Sequence, residues 1–214
     1  MDVGQYRGVF AWVGIVAIAV TFLGMAGAAL FSPSFSVAGN ALSNLGDPTD
    51  PAGTATTALL FNGGLILGGV GGVVFGVGLF LTAERLLARI GSVVYVVSLA
   101  LMAGVGLFPQ GHGLHFPSAS GFYMLFSLAV VVYGVGCLLA GDRRGAVLSV
   151  GSGVFNLAGW VVWGVTGSLT RDGLAIPELV GAAAVAGWTL WAASELLVPE
   201  SSSTTRASPM QFGQ

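Results

Sequence analysis

No lysine occurs anywhere in the 214 residues, and all seven basic residues are arginines. That absence excludes a retinal Schiff base, because the linkage needs a lysine amine. Charge of either sign is scarce: 7% of residues are charged, against about a quarter in an ordinary soluble domain. So few charges cannot cover a water-exposed surface, and a chain of this length cannot hide its excess apolar residues in one core. With 55% of residues hydrophobic, lipid is the solvent that fits. The net charge of −2 and the lack of any concentrated basic patch exclude nucleic acid as a partner. The single cysteine, Cys137, rules out an intramolecular disulfide. It sits in an apolar run and reads as a small buried thiol. Arginine without lysine, with an acidic balance, hints at a salt-loving source. Nothing in the composition calls for a cofactor.

What is abundant is glycine, 35 residues of it. In water so many glycines weaken helices, but in a bilayer small residues let transmembrane helices approach closely. Crossing a hydrocarbon core of about 30 Å takes roughly 20 helical residues. Apolar runs of that length extend from Gly8 to Phe31, Ala58 to Leu81, Ala88 to Phe108, Ser120 to Ala140, Gly145 to Ser168 and Pro177 to Val198. The first is longer than the apolar region of a secretory signal, about 7 to 15 residues, and is read as a true span. The expected fold is therefore an all-α polytopic membrane bundle of six helices over residues 1–198. A serine- and threonine-rich tail, 199–214, reads as a disordered cytoplasmic segment.

Arginine placement predicts the orientation, since short loops that carry Arg stay cytoplasmic. Arg7, Arg85, Arg89, Arg143, Arg144 and Arg206 fall on one side of a six-span chain, and only Arg171 falls on the other. Both termini are then cytoplasmic in the cell membrane. Gly64, Gly68, Gly72 and Gly76 recur every four residues and predict a close helix-packing seam. Asn62 and Asn156 are the clearest polar residues at membrane depth and must find hydrogen-bond partners there. Pro177 and Glu178 read as a helix start, with the carboxylate on the positive helix end. Trp160, Trp163, Trp188 and Trp191 read as packing residues or interface anchors.

The outer face carries the chemistry. Between the first two spans lie some 26 residues, Ser32 to Thr57, and loops of that length in compact proteins are usually functional. Read as a helix, Ser36 to Leu45 is amphipathic: Asn40, Ser43, Asn44 and Asp47 follow the i, i+3, i+4, i+7 pattern, with Val37, Ala38, Ala41, Leu42 and Leu45 opposite. The pattern predicts a short helix at the outer interface, with Gly46 just past its end. The stripe either faces solvent or takes part in binding. The chain's two histidines, His112 and His115, share the next outer loop. Their spacing is not in itself a zinc signature and needs a further ligand such as Asp47. His115, held before Phe116 and Pro117, is the better candidate for a defined role.

Ser43-Asn44-Leu45-Gly46, the apolar run around Asn62 and Gly63, and Gly106-Leu-Phe-Pro109 followed by His115 resemble the archaeal and bacterial family called domain of unknown function 998. The likeness extends over roughly residues 8 to 198 and implies a six-helix membrane protein with no established activity. The family often has an aspartate where this chain has Asn44, which weighs against an essential carboxylate there. More distantly, the chain is similar to the Frag, DRAM and Sfk membrane proteins, which are associated with lipid remodelling, but shared architecture does not carry function.

Three functions compete. In the first, Asn40, Ser43, Asn44, Asp47, Asn62 and His115 recognise a lipid headgroup or another membrane protein through neutral hydrogen bonds. In the second, a lipid-processing enzyme uses His115 as general base with Asp47 as its orienting carboxylate. The third is a transporter, restricted to a neutral solute because no ionisable residue lies near mid-membrane. Convergence of these side chains on one pocket favours recognition or catalysis, and divergence weakens both.

Overall fold

The computed structural model describes residues 3–166 and 173–198. The tail 199–214, Arg171 and Arg206 lie outside the described residues. Among those described, six α-helices account for the fold: α1 (Arg7–Phe31), α2 (Ala55–Thr82), α3 (Leu86–Leu107), α4 (His115–Leu139), α5 (Arg143–Thr166) and α6 (Ala175–Leu197). Each is long and apolar enough to cross a membrane, so the chain is an integral membrane protein of the multi-pass kind. In hydrocarbon a helix satisfies every backbone group internally, and glycine-rich segments therefore stay helical.

The helix ends follow local chemistry. Thr54 caps α2: its hydroxyl accepts the Thr57 N–H at 3.1 Å, and the Thr54 N–H donates back to the Thr57 hydroxyl at 2.8 Å. Between α4 and α5 the chain reverses through Gly141 at φ 87°. A side chain rarely tolerates that angle. Asp142 then accepts the Gly145 N–H at 2.8 Å to begin α5.

Consecutive helices pack side by side and α6 returns to α1, so the six form a closed ring of antiparallel neighbours. Glycine sets how closely they approach. Gly24 of α1 and Gly64 of α2 face each other, and a Cβ built on Gly64 lies 3.1 Å from the Gly24 Cα. The four-residue glycine ridge is a packing seam, but it serves two partners. Gly64 and Gly68 meet α1 at Gly24 and Thr21, while Gly72 and Gly76 meet α3 at Leu99, Tyr95 and Val96. A straight ridge drifts around its helix when neighbours cross at an angle, so it changes partner along its length.

The ring's centre is filled by aromatic rings. Trp188 of α6 lies 5.1 Å from Tyr95 and 5.4 Å from Tyr133 between ring centroids. Both buried polar tips are satisfied: the Trp188 indole N–H donates to Ser149 Oγ at 2.9 Å, and the Tyr95 and Thr189 hydroxyls pair at 2.8 Å. Asn156 ties α5 to α4, its Nδ2 donating to the Tyr123 carbonyl at 2.9 Å and to Ser127 Oγ at 2.7 Å. Cys137 is half-buried rather than fully enclosed.

One end of the bundle carries Arg7, Arg85, Arg89, Arg143 and Arg144. The other carries the long first loop, His112 and His115. These are the arginine end and the histidine end.

Candidate functional site

At the histidine end the first loop does not form the predicted α-helix over Ser36 to Leu45. It makes a turn at residues 37–39 and then one 3-10 helix, Leu42–Gly46. Its own asparagines account for the difference, because short amide side chains bond nearby backbone and compete with helix formation. Asn40 Oδ1 accepts the Ser36 N–H at 2.9 Å, and Asn44 Oδ1 accepts the Ala41 N–H at 2.7 Å. The 3-10 turn does not rest on lipid. Leu42, Ser43, Leu45 and Gly46 are buried, which makes the segment a plug in the mouth of the ring.

Long-range bonds hold the plug to the helices. The Leu42 N–H donates to Glu178 Oε2 at 2.6 Å, and the Ala175 N–H donates to the Asn40 carbonyl at 2.9 Å. Asn62 Nδ2 donates to the Gly46 carbonyl at 2.8 Å. A Cβ built on Gly46 lies 2.5 Å from Asn62 Oδ1 and 2.9 Å from the Phe61 ring. Gly46, the last residue of the 3-10 turn, is therefore also needed for close approach.

Below the plug lies a cavity of about 40 Å³, lined by Leu42, Ser43, His115, Tyr123 and Glu178 together with apolar side chains from α1 to α4. Three distant segments thus bring a hydroxyl, an imidazole and a carboxylate to one enclosed space. Ser43 Oγ donates to Gln110 Oε1 at 2.8 Å, and the Tyr123 hydroxyl donates to the Glu178 carbonyl at 3.2 Å. His115 Nδ1 lies 2.8 Å from the Phe108 carbonyl. A carbonyl only accepts, so Nδ1 carries the hydrogen. His115 opens α4 and does not sit in the loop. His112 stacks on Phe108 at 4.9 Å and accepts the Leu114 N–H at 3.1 Å.

Of the residues singled out from sequence, Ser43 and His115 line the cavity. Asn40, Asn44 and Asn62 are spent on the architecture of the plug, with Asn44 Nδ2 donating to Asp50 at 2.6 Å. Asp47 turns away to its own loop, where it accepts from the Thr49 hydroxyl at 2.7 Å and the Thr49 N–H at 2.9 Å. Those two bonds hold its carboxyl below the usual aspartate range. Among the described residues no hydrogen bond joins Asp47 to His115, and no three His, Cys, Asp or Glu side chains gather as metal ligands.

Glu178 is the cavity residue that the sequence pattern did not single out. It is the fourth residue of α6 and is buried, 8% exposed, where a helix-start carboxylate would sit in the interface. The signal was its periodicity: Glu178, Gly181, Val185 and Trp188 share one helix face, and that face packs inward.

No curated protein and no solved structure matches this chain. Residues 6–195 match the family described as protein of unknown function (DUF998). That match takes in the plugged mouth of the ring and all six helices but for the last two residues of α6, and the chain belongs to the DUF998 family.

Proposed function

We propose that this protein is a membrane-embedded recognition protein that binds a polar lipid headgroup at its histidine end, in the cell membrane. One observation carries the reading. A buried carboxylate (Glu178), an imidazole (His115) and a hydroxyl (Ser43) from three separate segments share one small cavity at the histidine end of the bundle. A carboxylate costs several kcal/mol, on the order expected for an ion removed from water, to hold there unless something compensates. A packing role alone is met more cheaply by an apolar side chain.

A second feature supports a lipid. An apolar groove of about 460 Å³ opens between α5 and α6 at the same end, lined by Phe155, Gly159, Val162, Ile176 and Val180 among others. It suits an acyl chain whose headgroup lies at the plug. Arginines gathered at the opposite end favour a cytoplasmic arginine end, with the site on the outer face.

The test is lipid retention through mild detergent, read by native mass spectrometry. Loss of one hydrogen bond to a charged group lowers affinity by about tenfold or more. Glu178→Gln and His115→Ala should each reduce retained lipid by that order. Unchanged retention in both variants would falsify the reading.

A further inference from the structure

The polar lining of the cavity sets which part of a lipid enters it, an inference that rests on the lipid-recognition reading above. Every polar hydrogen on that lining is already given to the protein. Ser43 gives its hydroxyl hydrogen to Gln110, Tyr123 gives its own to the Glu178 carbonyl, and His115 gives its Nδ1 hydrogen to the Phe108 carbonyl. In the neutral ring His115 Nε2 is then a lone pair. Glu178 Oε2 accepts from Leu42. Glu178 Oε1 has no partner among the described residues, and Glu178 lines the cavity. With Glu178 ionised, the space is walled by acceptors and lacks donors, and a donated hydrogen is what compensates the buried charge.

Size narrows the choice further. A cavity needs about 10 to 15 Å³ per water-sized atom, so about 40 Å³ admits roughly three non-hydrogen atoms. A phosphoryl or carboxylate oxygen brings lone pairs against lone pairs and is refused. A trimethylammonium is too bulky and has no N–H to give.

We propose that the cavity takes a small hydrogen-bond donor, the primary hydroxyl or primary ammonium at the tip of a headgroup, which donates to Glu178 Oε1 and His115 Nε2. The shared chemistry is the donated hydrogen. A water occupies the same acceptors when no headgroup is present.

The experiment offers the intact protein, in detergent, three lipids with identical acyl chains and glycerol, ethanolamine or choline headgroups, competing pairwise, with retention read by native mass spectrometry. The glycerol and ethanolamine lipids should each outcompete the choline lipid by about tenfold, the equivalent of one hydrogen bond to a charged group. Glu178→Gln, which sets an amide against the cavity, should level that preference. His115→Phe serves the same purpose should the glutamine variant fail to fold. Free ethanolamine and free glycerol, scored by the shift they cause in unfolding temperature, form the second arm. Equal retention of all three lipids, with no stabilisation by the free compounds, overturns the donor rule and leaves lipid recognition standing. Stabilisation by the free compounds without lipid discrimination supports the donor rule and removes the lipid as its source. No retention and no stabilisation overturns both.

Discussion

The backbone N–H of Leu42 donates to the Glu178 carboxylate at 2.6 Å, across 136 residues of chain. This contact makes the first loop part of the bundle, because it fastens the plug to the helix that closes the ring. It also gives one carboxylate oxygen, Oε2, a structural role.

Glu178→Ala strands a buried backbone donor, which costs about 1–3 kcal/mol. Glu178→Gln keeps a carbonyl for Leu42 and should lose less than half as much. Unfolding titrations with a denaturing detergent, read by helix content, separate the two. Equal losses would show that the Leu42 contact contributes nothing.

Gly24→Ala drives a methyl against backbone, because its Cβ lies 2.6 Å from the Leu60 carbonyl oxygen and 2.9 Å from the Gly64 Cα. Backbone cannot rotate aside, so α1 and α2 must separate, at a cost of about 1–3 kcal/mol. Gly63→Ala is the matched control: nothing lies within 4 Å of its Cβ, and stability should stay within about 0.5 kcal/mol of wild type. Similar behaviour of the two variants in the same unfolding assay would contradict the described seam.

Gly181 faces the Tyr123 ring, and a Cβ built there lies 2.6 Å from Asn156 Oδ1. That oxygen is buried and lacks a hydrogen-bond partner among the described residues. Gly181→Ala should destabilise by about 1–3 kcal/mol. In an Asn156→Ala background part of the clash is gone, so the double variant should lose less than the sum by about 0.5–3 kcal/mol. Strict additivity in the double-mutant cycle would show that the two positions do not meet.

Orientation is read by labelling. In a Cys137→Ala background, Thr49→Cys at the exposed histidine end should react with a membrane-impermeant maleimide on intact cells. Arg85→Cys, exposed at the arginine end, should react only after lysis. The reverse pattern would invert the topology and move the cavity to the cytoplasmic side.

Much of the architecture was legible in the sequence because lipid imposes a simple rule: a span must be long, apolar and helical. The six spans emerge within a few residues of the runs that announced them, and the glycine ridge packs as its spacing required. The plug was not legible. Its polar stripe matched a helix period, but periodicity does not record that Asn40 and Asn44 turn their amides onto their own backbone.

By itself, then, the sequence determined an all-α membrane protein of six spans, with six of its seven arginines on one side and both histidines on the other. Apolar length and the placement of charge are local properties of the chain. Only the tertiary structure decided which polar residues meet. It set Asp47 aside on its own turn, used Asn62 as a fastener, and brought Glu178 from the far end of the chain to Ser43 and His115. Ring closure of α6 onto α1 carries that carboxylate inward, and no local pattern encodes which residue will oppose it across the bundle.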